Sequence, residues 1–147
     1  MLTVLKRSLL VASLWCALPA HAAGKLEVRD AWIRAAPPGA MMLAGYAQLR
    51  NVGDAPVVVS GASSAAFGDV TLHESVSENG VERMRPLPAI AIAPGGSVAL
   101  APGGKHLMLM RPAHPMAAGT SVAIHFDTGQ AGADASFVVR ESAPGAD

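Results

Sequence analysis

The chain has almost no cysteine. The only one among its 147 residues is Cys16, in an N-terminal segment that we expect to be removed, and the bulky Trp15 before it argues against a lipid anchor there. A domain without cysteine forms no disulfide and performs no thiolate chemistry. Thiol enzymes, thiolate zinc sites and blue-copper electron carriers, which need a cysteine ligand, are therefore excluded.

An excess of charge of either sign is also missing. Eleven Lys and Arg residues balance eleven Asp and Glu residues, and charged residues make up 15% of the chain. Such a chain offers no basic surface for electrostatic binding of nucleic acid. Hydrophobic residues make up 51%, and this composition and length predict one globular domain with a buried core.

Apolar runs long enough to span a membrane are absent as well. The basic pair at 6–7 precedes an apolar run over 9–18, and Ala20-His21-Ala22 has the small-x-small pattern of a signal-peptide cleavage site. We predict a signal peptide over 1–22 and a single exported β domain over 23–147. Since no segment reaches the roughly 18 apolar residues of a spanning helix, we expect a mature monomer without a membrane span.

Helical periodicity is lacking throughout the predicted mature chain. Turn residues recur roughly every 8 to 12 positions between short alternating runs of Val, Ile and Leu, which is typical of an all-β sandwich or barrel. Neither a Gly-x-Ser-x-Gly elbow nor a His-x-x-Glu helix is present, which disfavours hydrolases. The predicted strands cover 26–34, 43–51, 57–60, 69–77, 81–85, 90–93, 97–100, 105–111, 121–127 and 136–141.

One predicted strand carries histidine and methionine where a solvated strand would carry Thr, Lys or Glu. In the run 105–111, His106, Met108 and Met110 share one face, and the two leucines between them share the other. The leucines are the natural core face. The opposite face is either a second packed layer, in which methionine fills gaps, or a set of metal ligands; this strand alone leaves both open.

A predicted hairpin adds a second histidine and methionine to the argument. Asn79-Gly80 is a strong signal for a two-residue type I′ turn. With that turn Met84 lies opposite Ser75, and His73 is its diagonal neighbour on the same face, about 7 to 8 Å away. Two such His-Met pairs make a plausible site of two nitrogen and two sulfur donors.

The donor types favour one metal. Thioethers are soft and neutral, and together with imidazole they select copper, Cu(I) above all, over Mg, Ca or Mn. Zinc sites of mixed N and S ligands rely on thiolate, which this domain lacks. Two thioethers also argue against easy redox cycling, so we predict a Cu(I)-binding protein that is not an enzyme.

The spacing of these residues resembles that of a known family. Ten residues separate His73 from Met84, twenty-one separate Met84 from His106, and one separates His106 from Met108. This spacing is similar to the motif of the periplasmic copper chaperones called PCuAC. The likeness covers nearly the whole predicted mature chain. It includes Asp30-Ala31-Trp32-Ile33-Arg34, Pro37-Pro38-Gly39, Leu49-Arg50-Asn51, Met84-Arg85-Pro86 and the run from Pro102 to Met110.

The resemblance implies a fold, a ligand set and partners. The fold it implies is a cupredoxin-like Greek-key β-barrel or sandwich, and the metal ligands it implies are His73, Met84, His106 and Met108. The implied role is carriage of Cu(I) toward the Cu(A) subunit of cytochrome c oxidase, alongside Sco proteins. Two features depart from the pattern: Glu74 replaces a methionine of some members, and the tail 142–147 has no Met or His, which puts a second, Cu(II)-type site in doubt.

Other histidines and methionines have less definite roles. Met110 is either a further thioether or a packing residue, and Met41 or Met42 either shields the site or joins the core. His114 stands in a loop before Pro115 and is either a loop residue without a ligand role or a further copper contact. His125 alternates out of phase with its apolar neighbours and is predicted to face solvent.

Two other functions remain open at this stage. The protein could sequester copper for tolerance instead of delivering it, or it could be a metal-free sandwich that binds other proteins. For a carrier we expect the four ligands near the surface, close to strand ends and away from the leucine face. Their replacement should then leave the stability of the apo-protein nearly unchanged.

Overall fold

The structure is a computed structural model that describes residues 22–145, so Cys16 and nearly all of the predicted signal peptide lie outside the described residues. The described part contains eleven β-strands and no helix, and thus no helix that could cross a membrane. The strands are β1 (Leu26–Arg34), β2 (Met42–Asn51), β3 (Val57–Val59), β4 (Gly61–Ser63), β5 (Phe67–Glu78), β6 (Val81–Pro86), β7 (Ile90–Ile92), β8 (Ser97–Leu100), β9 (Lys105–Pro112), β10 (Ser121–Asp127) and β11 (Ala133–Arg140).

Nine of the strands form one sheet. Its order is β4-β10-β11-β1-β2-β9-β5-β6, with β8 paired to β2, while β3 and β7 form a separate two-stranded sheet. All pairs are antiparallel except β1 with β11. The prediction of an all-β fold is confirmed, and β9 lies between β2 and β5, where three neighbouring strands can contribute to one surface.

The predicted strands agree with the observed ones within a few residues. Three of them, Leu26–Arg34, Ser97–Leu100 and Ser121–Asp127, have the predicted bounds. The sequence analysis missed Gly61–Ser63, because three small residues show no alternation of apolar and polar side chains. This short strand is held by pairing with β10, an interaction that is not visible in its own sequence.

The hairpin between β5 and β6 has the predicted turn and register. Asn79 and Gly80 both have positive φ, 53° and 77°, as a type I′ turn requires. Glu78 pairs with Val81, and Ser75 pairs with Met84. The turn therefore places Met84 diagonally across from His73, as the sequence predicts.

The leucine face of β9 is the core face. Leu107 and Leu109 have no exposed surface, and Leu72 of β5 and Leu43 of β2 belong to the same buried cluster. Burying a leucine stabilises the fold by roughly 1.5 to 3 kcal/mol, so this face fixes the orientation of β9. The opposite side of the strand must then carry the histidine and the methionines.

Candidate metal centre

The two predicted histidine ligands are direct cross-strand neighbours. His73 on β5 pairs with His106 on β9, so both imidazoles project from the same face of the sheet. Their ring centres are 6.0 Å apart, and the rings are inclined by 31°. Met108 follows two residues along β9, opposite Thr71 of β5, and it projects from that same face.

Met84 approaches from the other side of His73. It lies on β6, one strand further out than β5, and its side chain is 58% exposed. The two sulfur-bearing residues therefore differ in accessibility, because Met108 is partly buried between β2 and β5. The strand register brings all four predicted ligands to one surface.

His106 is more buried than the sequence predicts. Only 5% of it is exposed, so the expectation that all four ligands lie near the surface is wrong for this residue. The reason is its place on β9, an interior strand of the sheet, where the imidazole of its cross-strand partner His73 lies beside it. His106 Nδ1 lies 3.0 Å from the carbonyl oxygen of Gly104. A carbonyl only accepts hydrogen bonds, so Nδ1 carries the proton and Nε2 keeps a free lone pair.

His73 has a buried nitrogen without a partner. Its Nε2 lies 3.1 Å from the Thr71 hydroxyl oxygen, while Nδ1 is buried and has no hydrogen bond; it is the one such side-chain atom within residues 22–145. We assign the proton to Nε2, which donates it to Thr71, so that Nδ1 presents a lone pair. Burial lowers the pKa of His73, and the neighbouring His106 imidazole lowers this pKa further, which keeps the ring neutral.

A pocket of about 200 Å³ opens beside these residues. Met84, His106 and Met108 line it together with Ala44, which is the cross-strand partner of Met108 on β2. A larger side chain at that position would fill the space above Met108. Arg34 at the end of β1 is the one charged residue in the wall.

The arrangement offers neutral soft donors and no cluster of anionic ones. Among residues 22–145, no group of three or more His, Cys, Asp or Glu side chains lies close enough together to hold a metal ion. Two imidazole lone pairs and two thioethers on one face are suited to a soft monovalent ion and poorly suited to hard cations. The unpaired Nδ1 of His73 is the structural sign of a missing partner, because buried polar atoms normally have one.

The remaining methionines lie at the same end of the molecule, outside the core. Met41 and Met42 are 61% and 49% exposed, so a core position for either is wrong. Met42 lines the pocket with Met84 and Met108, whereas Met41 lines a neighbouring cavity. Met110 pairs with Met42 across the strands and lines neither space, which agrees with packing beside the site.

The other histidines lie apart from the pocket. His114 lines the neighbouring cavity together with Met41, so the structure does not bring it to the four predicted ligands. His125 is partly exposed, as predicted, and its Nδ1 lies 2.8 Å from a carboxylate oxygen of Asp134. Glu74, at the position where some PCuAC members have methionine, forms an ion pair with Lys105 at 2.9 Å.

Sequence reasoning missed the residues that contact the predicted ligands. Thr71 and Gly104 hold one nitrogen of each imidazole, and Ala44 leaves the space for the pocket. Thr71 stands two positions before His73, on the same strand face, so alternation could have identified it. The role of Ala44 depends on the pairing of β2 with β9, which the sequence of neither strand specifies alone.

Comparisons with known proteins agree with this architecture. The family described as "Putative lipoprotein LpqE-like" matches residues 26–137. "Putative lipoprotein Lxx21020" from Leifsonia xyli subsp. xyli (strain CTCB07) is 38% identical over 115 residues, in an alignment that covers 72% of this chain and 63% of that relative. The chain thus spans somewhat less than two thirds of the length of this curated relative.

Two solved structures have the same fold. The copper-bound PCuAC domain from PmoF2 is 26% identical, with a TM-score of 0.63 over 84% of this chain and 97% of that domain. The Cu(I) form of DR1885 from Deinococcus radiodurans is 25% identical, with a TM-score of 0.57 over 84% of this chain and 83% of that one. The predicted resemblance and the cupredoxin-like fold are confirmed: the chain belongs to the LpqE-like family and has the fold of PCuAC domains.

Proposed function

We propose that this protein is a copper chaperone that binds one tightly held Cu(I) through His73, Met84, His106 and Met108. The observation that carries the proposal is the pair of free imidazole nitrogens, Nδ1 of His73 and Nε2 of His106, on directly paired residues. Similar solved domains are described as copper-bound and as a Cu(I) form. The identity to them supports the same cargo here.

The separation of the rings supports a shared ion. A metal bonded to one nitrogen of each ring at about 2 Å lies roughly 3 Å from each ring centre, and the two centres are 6.0 Å apart. The separation of the ring centres therefore matches the distance expected for one ion bound by both imidazoles. Met108 adds a thioether from within the sheet, and Met84 closes the site from solvent.

The unequal exposure of the donors supports transfer over storage. Met84 is largely exposed while His106 is buried, so an incoming ligand can displace the outer thioether first while the inner imidazole holds the ion. A thioether is neutral and does not need to be reprotonated when it leaves. Copper then moves by ligand exchange, with no change of oxidation state and no catalytic turnover by the protein.

The place of action that we propose is the periplasm, or more broadly the cell envelope. The basic pair and apolar run at the N terminus support export through a signal peptide over 1–22, and a 38% identical relative is described as a lipoprotein. The mass of the mature protein distinguishes a soluble exported protein from a lipid-anchored one. Cleavage of the predicted signal peptide leaves Ala23 as the N-terminal residue, whereas a lipoprotein would begin at a lipid-modified Cys16.

The partners that we propose are the Cu(A) subunit of cytochrome c oxidase, a Sco-type protein, or both in sequence. The spacing motif and its family support this delivery role. Sequestration for copper tolerance is the second candidate, because the same four donors would serve it. A metal-free protein-binding sandwich is disfavoured by the unpaired nitrogen of His73, which such a module would leave without a partner.

Copper quantification and a transfer assay test these statements separately. Titration of the apo-protein against a Cu(I) competitor should give one tight equivalent, and Zn²⁺ should bind poorly; a tight stoichiometry near zero would overturn copper binding altogether. The loaded protein is then mixed with an apo Cu(A) domain, a Sco protein or a small chelator. Transfer to a protein faster than to the chelator supports delivery, and transfer to none faster than spontaneous release leaves sequestration.

A further inference from the structure

The methionines of the described chain are concentrated in one region. Of the six after residue 1, five line one of two adjoining pockets and the sixth, Met110, pairs with Met42 beside them; none belongs to the fully buried core. Methionine that serves as filler would be spread through the core. Three of the six line the pocket of the proposed copper site, and Met110 packs beside Met42, which leaves Met41 and Met116 unexplained.

Those two methionines share a second cavity with a histidine. Met41, His114 and Met116 line a space of about 280 Å³ that contains no Asp, Glu, Lys or Arg side chain. His114 is its one ionisable residue, and Met41 is 61% exposed. The chemical content of this wall is therefore one imidazole and two thioethers in apolar surroundings, which is the donor type that selects Cu(I) or Ag(I).

The walls of this cavity are rigid. Four of its lining residues are prolines, whose φ angle is fixed. The Pro-Pro-Gly turn is closed by a hydrogen bond from Ala40 N to Pro37 O at 3.1 Å, and Arg111 N donates to Met41 O at 2.8 Å. In the second loop, Ala113 N donates to Ala66 O at 2.9 Å, directly before His114. These restraints on both loops lower the entropic cost of binding.

We propose that Met41, His114 and Met116 form a second and weaker Cu(I) site, adjacent to the first. The two pockets share Ala36 and Leu43 in their walls, and the consecutive residues Met41 and Met42 line one pocket each. Three donors on partly exposed loops bind more weakly than four donors on a sheet, so this site fills second. The inference depends on the proposed function only for the identity of the metal.

The test compares the wild type with a His114→Ala variant, using Cu(I) and the probe ion Ag(I). The wild type should take up one equivalent against a competitor and a second without it, while His114→Ala should keep the first and lose the second. Met116→Leu, which preserves volume and removes sulfur, should weaken the second equivalent at least tenfold. His125→Gln is the matched control, because this histidine lies outside both pockets, and it should retain both equivalents.

A variant without the first site separates the two proposals. In His73→Ala/His106→Ala protein, Ag(I) should still shift the methyl resonances of Met41 and Met116 in the NMR spectrum, whatever the fate of the first site. A wild type that saturates at one equivalent overturns the second site and leaves the chaperone proposal intact. The second site would also be overturned if His114→Ala kept the second equivalent of metal or lost the first. Binding of an apolar peptide, but not of Ag(I), in the cavity would overturn it as well.

Discussion

Asn51 and His106 are the two buried polar residues of the described chain, and they differ in how their hydrogen bonds are satisfied. The Asn51 amide donates to the carbonyls of Ala55 and Ile92 at 2.7 and 3.0 Å, and it accepts from the backbone of Lys25 and Gly53 at 3.3 and 3.0 Å. His106 makes one side-chain hydrogen bond, to Gly104. The fully hydrogen-bonded amide of Asn51 is suited to a structural role, whereas the unbonded Nε2 of His106 is available to the proposed metal ion.

The difference also separates the two ends of β2. Asn51 at its C-terminal end ties loops to the strand, while Met42 and Ala44 near its N-terminal end line the pocket. At the C-terminal end of β2, the polar atoms of the Asn51 side chain all have hydrogen-bond partners within the chain. At the other end the protein leaves a nitrogen of His73 unpaired, at a cost of about 1 to 3 kcal/mol for such a group, which a bound ion would offset.

The largest effect is expected at Asn51. Asn51→Ala leaves two carbonyls and two backbone N–H groups without their partner, so the free energy of unfolding should fall by about 3 kcal/mol or more. Thermal unfolding of the apo-protein measures this loss. The Cu(I) affinity of the folded variant should stay within about twofold of the wild type; a large drop would mean that the two ends are not independent.

Replacing His106 should lower the free energy of unfolding less than replacing Asn51 does, and it should lower the Cu(I) affinity much more. His106→Ala should lower the Cu(I) affinity by more than roughly 100-fold, since even the partners of metal ligands contribute about 10- to 100-fold. Because the side chain is buried, the apo-protein should also lose about 1 to 2 kcal/mol, contrary to the expectation from sequence of an unchanged midpoint. Competitor titration and apo unfolding measure the two effects.

Leu107→Ala is the matched control on the opposite face of the same strand. It should cost about 2 to 5 kcal/mol of stability through the cavity it creates, with little change in Cu(I) affinity. If Leu107→Ala and His106→Ala both acted mainly on stability, the histidine would be a core residue and its assignment as a ligand would be wrong.

Met84 should show the effect of a ligand without any structural role. Its side chain is 58% exposed, so Met84→Leu should leave the unfolding midpoint unchanged and weaken Cu(I) binding about tenfold through loss of one thioether. Met110→Leu is the control, because Met110 lines neither pocket. Equal losses of affinity in the two variants would show that methionine content, and not position, determines binding.

Acidification should weaken copper binding gradually. Burial and the His106 imidazole lower the pKa of His73 below its ordinary 6.5, so His73 stays neutral to a lower pH than a free histidine. Affinity should be nearly constant between about pH 7 and 8 and should fall at lower pH, with the His73 contribution lost only as the pH approaches its lowered pKa, and with at most two protons taken up per copper released. Competitor titrations over a pH series measure it; no change between about pH 7 and 5 would exclude histidine ligands.

The lowered pKa has a second consequence for the apo-protein. The unfolded chain binds a proton at His73 at a higher pH than the folded chain does. The free energy of unfolding should therefore be highest above about pH 6.5 and should decrease as the pH falls through the folded pKa. In His73→Gln this contribution to the pH dependence should disappear.

Much of the fold could be predicted from local sequence signals. The Asn79-Gly80 turn fixes the register of β5 against β6, so the diagonal placement of His73 and Met84 follows from the turn alone. Alternation likewise gives the two faces of β9 correctly. Both are properties of residues that are close together in the chain.

Long-range pairing could not be predicted in the same way. The direct opposition of His73 and His106 depends on the pairing of β5 with β9. The interior position of β9 in the sheet depends on its pairing with β2 on the other side, from Leu107 onward. Short elements without side-chain alternation, such as β4, exist only through their partners. The sequence therefore predicts a set of candidate donors, and tertiary contacts determine which of them is buried, which is exposed and which nitrogen has no hydrogen bond.

The most direct test of the ligand assignment is ¹⁵N NMR of the two imidazoles. In the apo-protein, His106 should be protonated at Nδ1 at pH 7.5, as its bond to the Gly104 carbonyl requires, and His73 should be protonated at Nε2, as we assign it beside the Thr71 hydroxyl. On addition of one equivalent of Cu(I), the resonances of His106 Nε2 and His73 Nδ1 should shift, while the protonated nitrogens keep their protons. Unchanged resonances at these two atoms with copper bound would contradict the account.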